Sequence, residues 1–389
     1  MSLYISLDTF LQKFNTKPNL NSYKEKGIVR TPNKLERLTD YMKRKDHLTE
    51  DELMILWTEI ENKHSYLRRF YKMSLQVNED NIHFGEQIAP MLLKDMNNNT
   101  NPLLKNPIRN MYWKEILQQT ESGIHNVPTY LNTVIDLFEK NIIHYKLLSP
   151  SSLGKMDRNN GNKDVEGGRF GSVLSSFYFR ASIMNPYVPF SLNKRRFRAT
   201  SVFTPTLGWS SYAYGFLESG VTEYVGTDVI PKVCKKTVQF IDKYYTNITK
   251  DIYCMPSEKL ASNKPFSRKY KNHFDLVFFS PPYYDLEKYP SNNQSITSYK
   301  SYTEWLEGYW RPTVALCYHV LKPNGYMCFI ISDYGSPNSS SQHYELVKDM
   351  SSVVAEIFQK KPTKMPLHNK QIYVLSQDKV PEQIITIKK

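Results

Sequence analysis

The stretch FDLVFFSPPYYDLEKYP, residues 274–290, decides how the second half of the chain can fold. It opens with an apolar run rich in Phe, Leu and Val, which is typical of a buried β-strand. The run stops at Ser280, and Pro281 and Pro282 follow it. Proline fixes its own backbone angle and has no N–H to donate to a sheet. The stretch therefore predicts a buried strand with a rigid end.

Short apolar runs alternate with helical stretches around this strand. The predicted strands are TEYVGTDV, which ends near Asp228, DIYCM, FDLVFF, GYMCFIIS and KQIYVLSQ. The predicted helices are IPKVCKKTVQFIDKYY, SYTEWLEGYWRPTVALCYHVL and YELVKDMSSVVAEIFQK. This alternation predicts an α/β fold, with a parallel or mixed sheet covered by helices on both faces. Ligands bind beyond the carboxyl ends of such strands, so we expect Asp228 and Ser280 to face one crevice.

Residues 1–150 have a different pattern, which predicts mostly helical structure. The stretch HLTEDELMILWTEIENKHSYLRRFYKM predicts one long amphipathic helix that begins with a capping box of Thr49 and Glu52, and PTYLNTVIDLFEKNIIHYKLL predicts another. Residues 151–171 belong to a segment rich in Gly, Ser, Asn and charge, which predicts a linker or mobile loop. We therefore expect a helical N-terminal domain at 1–150 and an α/β domain at 172–389.

The composition favours a basic protein of the cell interior with a polyanionic partner. The chain has 51 Lys and Arg against 38 Asp and Glu, a net charge of +13, which favours nucleic acid as partner over the alternative of a merely basic protein. Four scattered cysteines argue against a zinc site and against a secreted disulfide scaffold. With no secretion signal and no run of about 18 apolar residues, we expect a soluble intracellular protein without membrane contact or bound metal.

Three segments resemble one enzyme family. SPPYYDLEKY resembles the [DNS]-PP-[YFW] motif of the S-adenosylmethionine-dependent amino-methyltransferases, which methylate the exocyclic nitrogen of adenine or cytosine in DNA. TEWLEGYWRPTVALCYHVLKPNGYMCFI resembles the helix, LKPGG turn and strand that follow this motif, and SVFTPTLGWSSYAYGFLESGVTEYVGTDV resembles the cofactor segment D-P-F-x-G-x-G with its strand and terminal acid. The resemblance spans residues 201–377 and implies a Rossmann-like methyltransferase domain with S-adenosylmethionine as cofactor.

The motif suits the chemistry that the resemblance implies. An exocyclic amine is a poor nucleophile, and hydrogen-bond acceptors around it favour the pyramidal state that attacks a methyl carbon. Ser280 can offer its hydroxyl oxygen and Pro281 its carbonyl, and Pro281 and Pro282 hold that carbonyl rigidly. Tyr283 can stack on a base that has left the duplex. The alternative is that these four residues form only a turn that ends a strand.

Further residues of the resembling segments predict a cofactor site. Asp228, at the end of its strand, can accept both ribose hydroxyls, and Ser257 and Glu258 lie where the family approaches the adenine ring. A solvated turn and an ordinary helix N-terminus are the respective alternatives.

The cofactor segment departs from the family pattern at two positions. In the segment that contains Thr204, Pro205, Gly208 and Trp209, Thr204 replaces the family's first acid and Ser210 replaces its second glycine. Thr204 cannot form an ion pair with the cofactor's ammonium group, and Ser210 permits a less close backbone approach than glycine. Either the cofactor binds weakly or other residues take over these contacts.

A basic run precedes this segment. Lys194, Arg195, Arg196 and Arg198 surround Phe197, a pattern that suits phosphate contacts near a flipped base but also suits a solvated face.

These observations predict methyl transfer from S-adenosylmethionine to an exocyclic amine of a DNA base, as in restriction-modification systems. By resemblance, a Ser in the first motif position leans toward cytosine N4, and adenine N6 remains open. An RNA amino-methyltransferase and a catalytically inactive, nucleic-acid-binding scaffold are the alternatives. The N-terminal domain would supply target recognition, a protein-partner surface or a homo-oligomer contact.

Overall fold

The computed structural model describes residues 2–45, 48–123, 127–157, 168–334, 344–367 and 381–389. The chain divides into two compact units, each built from two separate stretches. We call the first, Asn78–Ile108 with Ile183–Lys389, the sheet unit, and the second, Ser2–Val77 with Arg109–Ser182, the helical unit. Each unit has its own hydrophobic core.

This division differs from the domain boundaries expected from the sequence. The change of unit falls at Ile183 rather than at 151–171, and Asn78–Ile108 belongs to the sheet unit. Helices Pro150–Asp157 and Gly168–Phe177 occupy the two ends of the predicted linker, whose central residues 158–167 lie outside the described ranges. Both helices form because they bury apolar side chains, including Met156 and Phe170, in spite of the polar composition.

The helical unit consists mainly of short helices. Its helices are α1 Leu7–Gln12, α2 Leu20–Lys26, α3 Leu38–Lys43, α4 Glu50–Glu61, α5 Lys63–Ser74, α7 Tyr130–Glu139, α8 Pro150–Asp157 and α9 Gly168–Phe177; α6 Asn106–Met111 lies at the change of unit. Its strands are β1 Ile28–Arg30, β2 Leu35–Arg37, β3 Glu121–Ser122 and β4 Ile142–His144, and a small sheet has the order β2-β1-β4. The capping box of Thr49 and Glu52 is present. The single long helix predicted there is interrupted at Asn62, where α4 ends and α5 begins.

The sheet unit is built around a seven-stranded sheet. Its strands are β5 Ser201–Thr204, β6 Glu223–Asp228, β7 Thr249–Cys254, β8 Phe274–Phe279, β10 Leu321–Ile331, β11 Thr363–Pro366 and β12 Gln383–Lys388; the short β9 Glu287–Lys288 lies outside this sheet. Its helices are α10 Tyr187–Leu192, α11 Ser211–Glu218, α12 Pro231–Tyr244, α13 Ser257–Leu260, α14 Lys264–Lys269, α15 Ser295–Ser298, α16 Tyr302–Trp305, α17 Arg311–Val320 and α18 Leu346–Phe358.

The order of the seven strands confirms the predicted Rossmann-like sheet. The order is β11-β12-β10-β8-β5-β6-β7, in which β5, β6, β7, β8 and β10 run parallel and β12 runs antiparallel to both of its neighbours. The predicted last strand, KQIYVLSQ, lies entirely outside the described ranges. Among the described residues, no helix combines the length and the apolar character that crossing a membrane requires.

A buried carboxylate holds part of Asn78–Ile108 against the rest of the sheet unit. Glu218, at the end of α11, accepts hydrogen bonds from the N–H groups of Phe84 and Gly85, both at 2.6 Å, and from the hydroxyl of Tyr245 at 2.6 Å. Its side chain is only 3% exposed. Breaking these hydrogen bonds would leave a buried carboxylate unpaired, which is energetically costly. They therefore fix the backbone of Phe84 and Gly85 against α11.

A second carboxylate joins the starts of three central strands. Asp275 in β8 accepts hydrogen bonds from the backbone N–H groups of Thr200 and Ser201, both at 3.0 Å, and its other oxygen lies 2.9 Å from the Lys322 ammonium in β10. Burial raises the pKa of Asp275, but the hydrogen bonds and Lys322 outweigh burial and hold it well below its ordinary range. The carboxylate therefore aligns β5, β8 and β10 at their amino ends, and this alignment determines where they end.

We expect Asp275→Asn to lower the free energy of unfolding by about 2 kcal/mol at neutral pH, since hydrogen bonds to a charged acceptor are lost. Because the folded-state pKa is depressed, this stabilisation is complete above about pH 4 and declines as the pH falls further. Urea unfolding at pH 7 and pH 3 measures both effects.

The matched control is Asp242→Asn, because that carboxylate is 57% exposed and pairs only with Lys250 among the described residues. It should change stability by about 0.5 kcal/mol or less. Equal losses in the two variants would contradict the role assigned to Asp275.

Candidate active site

Four strand ends meet at one edge of the sheet, which we call the carboxyl edge. Thr204 ends β5, Asp228 ends β6, Ser280 follows β8 and Ser332 follows β10. β5 pairs in parallel with both β6 and β8, so the ends of these three strands are adjacent. Asp228 and Ser280 therefore lie at the same edge, as the alternation of strands and helices predicts.

Ser280 is fixed through three of its atoms. Its N–H donates to the Tyr212 hydroxyl at 3.1 Å, its hydroxyl donates to the carbonyl of Ile330 at 2.9 Å, and its carbonyl accepts from the Thr206 hydroxyl at 3.4 Å. Because the hydroxyl proton is held by Ile330, the free lone pairs of the Ser280 oxygen can only accept. The side chain is thus oriented as an acceptor for a donor placed beyond the strand end.

The residues after Ser280 continue this rigid end. Pro281 is buried, and Pro282 and Tyr283 are half-buried. The Tyr283 hydroxyl accepts the Ser332 N–H at 2.9 Å, and its ring centroid lies 6.3 Å from that of Tyr334. Burial raises the pKa of Tyr283 well above its ordinary value, so the hydroxyl remains neutral. Both ends of the tyrosine are therefore anchored, by the motif at the backbone and by Ser332 at the hydroxyl.

Asp228 connects the end of β6 to the loop that follows β5. One carboxylate oxygen accepts the Leu207 N–H at 3.1 Å and the other accepts the Ile230 N–H at 3.0 Å. Burial, the largest effect, raises the pKa of Asp228 to about 6, although these N–H groups oppose it. A carboxylate has about four lone-pair positions, so acceptor capacity remains for a ligand.

The loop after Leu207 turns through the left-handed region. Gly208, Trp209 and Ser210 have φ angles of 51°, 58° and 67°. A Cβ atom at Gly208 would lie 2.2 Å from the Tyr212 ring, so only glycine fits there. Ser210 replaces the family's glycine yet keeps a glycine-like conformation, and its hydroxyl makes a 2.7 Å hydrogen bond with that of Thr237. The substitution therefore leaves the backbone path of this turn in place.

Thr204 and Pro205 are both buried at the start of this loop. The Thr204 hydroxyl makes a 2.8 Å hydrogen bond with the Tyr224 hydroxyl on the neighbouring strand. A neutral side chain used in this way offers no charge to an ammonium group. Thr204, which replaces the family's acid, therefore bonds within the sheet and supplies no negative charge at this position.

Ser257 and Glu258 begin helix α13. Ser257 is buried and its hydroxyl lies 3.1 Å from that of Thr313, so it serves packing within the unit. Burial raises the pKa of Glu258, and the Tyr299 hydroxyl lies 3.5 Å from its carboxylate. Of the two, Glu258 is the better candidate for contact with a ligand.

Tyr309 is a candidate site residue that the sequence does not predict. It is 3% exposed, and its hydroxyl has no hydrogen-bond partner among the described residues. Burial raises its pKa well above the ordinary value, and the charges of Glu258 and Asp228 add to this effect. A buried unpaired hydroxyl close to two predicted cofactor contacts fits an adenosine-containing ligand. The chain contains 28 tyrosines, and nothing in its motif distinguishes this one.

The basic run lies at the opposite edge of the sheet from Ser280. It consists of Lys194, Arg195, Arg196 and Arg198, which directly precede the start of β5. Arg195 donates to the Pro90 carbonyl at 3.1 Å and Arg196 to the Thr386 hydroxyl at 2.8 Å. The structure therefore does not bring this run together with the SPPY motif, and phosphate contact beside a base at Ser280 is not supported.

We expect Ser210→Gly to be more stable than Ser210→Ala by about 1 kcal/mol, because only alanine bears the cost of the left-handed conformation. Both variants lose the hydrogen bond to Thr237, so the comparison isolates the backbone. Denaturant unfolding followed by circular dichroism measures the difference.

The neighbouring Ser211 provides the control, because its φ of −67° is helical. Its alanine variant should be the more stable of the pair. If Ser210→Ala were also more stable than Ser210→Gly, the left-handed conformation assigned to position 210 would be contradicted.

Comparisons with known proteins identify one segment. Residues 274–388 match a family model for N6 and N4 methyltransferases, described as DNA methylase. No curated protein matches the chain.

Two solved structures illustrate the overall likeness. The 1,6-didemethyltoxoflavin-N1-methyltransferase of Burkholderia thailandensis, with bound S-adenosylhomocysteine, is 10% identical with a TM-score of 0.32 and covers 52% of this chain and 78% of its own. The N-methyltransferase NodS of Bradyrhizobium japonicum WM9, in complex with S-adenosylhomocysteine, is 12% identical with a TM-score of 0.33 and covers 52% and 82%. The fold assignment rests instead on the strand order given above. Residues 274–388, with the SPPY motif near their start, match the family model that the resemblance predicts.

Proposed function

We propose that this protein transfers a methyl group from S-adenosylmethionine to an exocyclic amine of a DNA base, cytosine N4 or adenine N6. The observation that carries the proposal is the orientation of Ser280, whose hydroxyl proton is held by Ile330 so that its oxygen can only accept. The family match of the segment that contains this residue supports the same chemistry.

The proposed role of the motif is to prepare the amine for attack. The Ser280 oxygen accepts one N–H of the amine and the Pro281 carbonyl accepts the other, which favours the pyramidal nitrogen of the transition state. Bound S-adenosylmethionine supplies the electrophilic methyl group. The ring of Tyr283, anchored through Ser332, offers a stacking surface to the base. By resemblance, a serine at position 280 favours cytosine N4 over adenine N6 as the target.

The proposed cofactor contacts come from neighbouring strand ends and from α13. Asp228 would accept the ribose hydroxyls, while Glu258 and the unpaired Tyr309 hydroxyl would approach the adenosine. The left-handed turn Gly208–Ser210 would pass close to the remainder of the cofactor. Thr204 supplies no charge for the ammonium group, so that contact must come from elsewhere.

Nucleic acid is the proposed partner because the chain carries a net charge of +13 and matches a DNA methylase model. Target recognition or partner binding by the N-terminal helices remains a prediction.

Incubation with labelled S-adenosylmethionine and separate DNA and RNA samples tests the proposal, with the modified nucleoside identified by mass spectrometry. N4-methylcytosine or N6-methyladenine in DNA is the expected product. Modification of RNA alone would replace the proposal with the RNA alternative. Absence of transfer together with absence of cofactor binding in calorimetry would favour the inactive scaffold.

We expect Ser280→Ala to lower the single-turnover rate of methyl transfer by about tenfold to a thousandfold, because one positioned acceptor in the transition state is lost. Cofactor affinity should stay within about twofold, since the side chain faces the amine. Circular dichroism confirms folding. A folded variant with the full rate would remove Ser280 from the reaction.

Asp228→Asn should weaken S-adenosylmethionine binding by about 1.5–3 kcal/mol at pH 8, where the native carboxylate is ionised. Since the pKa of Asp228 is raised to about 6, wild-type affinity should fall as the pH drops from 8 to 5, and the variant should show no such dependence. Isothermal titration calorimetry measures both affinities. Asp242→Asn is the control, and its affinity for S-adenosylmethionine should depend on pH as that of the wild type does. A wild-type affinity that is independent of pH would exclude this role for Asp228.

A further inference from the structure

Glu382 lies at the carboxyl edge next to the SPPY motif, although the sequence gives it no motif of its own. It directly precedes β12, whose first residue, Gln383, pairs with Ile331 in antiparallel β10. Glu382 is therefore opposite Ser332, the residue that anchors Tyr283. The Glu382 carbonyl accepts the Leu367 N–H at 2.8 Å, which fixes its backbone at the end of β11.

Its carboxyl group faces the two hydroxyls that flank the motif. Tyr283 and Tyr212 both interact electrostatically with Glu382, and the side chain of Tyr283 forms a hydrogen bond with it. Tyr283 follows Ser280 by three residues, so its hydrogen bond with Glu382 places the carboxyl beside the end of β8. Lys105 is the other charged group that acts on Glu382 among the described residues.

The environment makes this carboxylate more basic than an ordinary glutamate. Burial, the largest effect, raises the pKa of Glu382, while Lys105 and the hydrogen bond with Tyr283 lower it less. The residue as a whole is half-buried, although its carboxyl group is enclosed enough for burial to dominate the pKa. A carboxylate whose pKa is raised is a better proton acceptor than an ordinary glutamate.

The proposed reaction releases a proton, and the motif itself contains no basic group to take it up. When the amine nitrogen bonds to the methyl carbon, the carbon–sulfur bond breaks with its electron pair staying on sulfur. The nitrogen then carries one proton too many. Ser280 and the Pro281 carbonyl are neutral oxygens that orient the amine through hydrogen bonds but are too weakly basic to keep this proton.

We propose that Glu382 accepts the proton released by the target amine, as the general base of this active site. The inference rests on the proposed function, because it assigns the proton of that same reaction. Nitrogen loses the proton and the Glu382 carboxylate becomes a neutral carboxylic acid, so charge and atoms balance without any other reactant. Solvent then removes the proton after the product has left.

The test is single-turnover transfer from labelled S-adenosylmethionine to unmethylated DNA, measured from pH 5 to pH 8. The cofactor is kept saturating at every pH, so that weaker binding at a protonated Asp228 does not affect the rate. Glu382→Gln keeps the size of the side chain but cannot take up the proton, so we expect its rate at pH 7 to fall about 100-fold. The wild-type rate should decline toward low pH as Glu382 is protonated, and this decline should be absent in Glu382→Gln. Glu382→Asp should recover part of the rate and the acid limb of the profile.

Cofactor binding separates this role from a structural one. Calorimetry should give an S-adenosylmethionine affinity within about twofold of wild type for both variants, and Glu86→Gln, an exposed glutamate of the same unit, should match the wild type throughout. Two outcomes would overturn the inference and leave the proposed function standing. In the first, the wild type is active and Glu382→Gln keeps both its rate and its acid limb. In the second, Glu382→Gln and Glu382→Asp lose rate equally and their pH profiles are unaltered. A wild type that transfers no methyl group to DNA would overturn both.

Discussion

The carboxylate of Asp275 is the constraint on which the position of the active site depends. It binds the beginnings of β5, β8 and β10, three parallel strands that have no covalent connection at that edge. Strands aligned at their amino ends reach the opposite edge together, so Thr204, Ser280 and Ser332 emerge side by side. The cost of burying this charge is more than offset by the N–H groups and the ammonium that surround it, as its depressed pKa shows.

Hydrogen bonds within the protein use up the donors at the carboxyl edge and leave acceptors available to a ligand. The hydroxyl proton of Ser280 is bound by Ile330 and its N–H by Tyr212, which leaves acceptor capacity directed beyond the strand. Asp228 likewise uses part of its acceptor capacity on backbone N–H groups and thereby fixes the turn that begins at Leu207. Acceptors that are fixed before the substrate arrives need no reorganisation in the transition state, which is the basis of electrostatic catalysis.

The positions of the strand ends at the carboxyl edge could be predicted from the sequence, because each depends on a pattern within a short segment. An apolar run that stops at Ser280 or at Asp228 marks a strand end, and consecutive parallel strands place such ends at one edge. The replacement of the family's glycine by Ser210 predicts a less close backbone approach, and the φ of 67° at Ser210 shows that the left-handed turn itself is retained. The composition of the basic run suits phosphate contacts near a flipped base. The run precedes β5, however, and a residue before a strand lies at the opposite edge from one after it.

Other features could not be predicted because they depend on contacts between distant parts of the chain. Tyr212 reaches Ser280 from 68 residues away, and Glu382 reaches the motif through the pairing of β12 with β10. The membership of Asn78–Ile108 in the sheet unit follows from bonds to Glu218, which no pattern within the segment indicates. Helices α8 and α9 formed in a polar stretch because a few buried side chains outweighed its composition.

The most direct test of the central claim is a crystal structure with a non-reactive S-adenosylmethionine analogue and a DNA oligonucleotide that contains the target base. The account predicts the ribose of the analogue at Asp228 and the exocyclic nitrogen of the base about 3 Å from both the Ser280 Oγ atom and the Pro281 carbonyl. A base bound elsewhere, or an amine out of reach of both oxygens with the analogue in place, would contradict it.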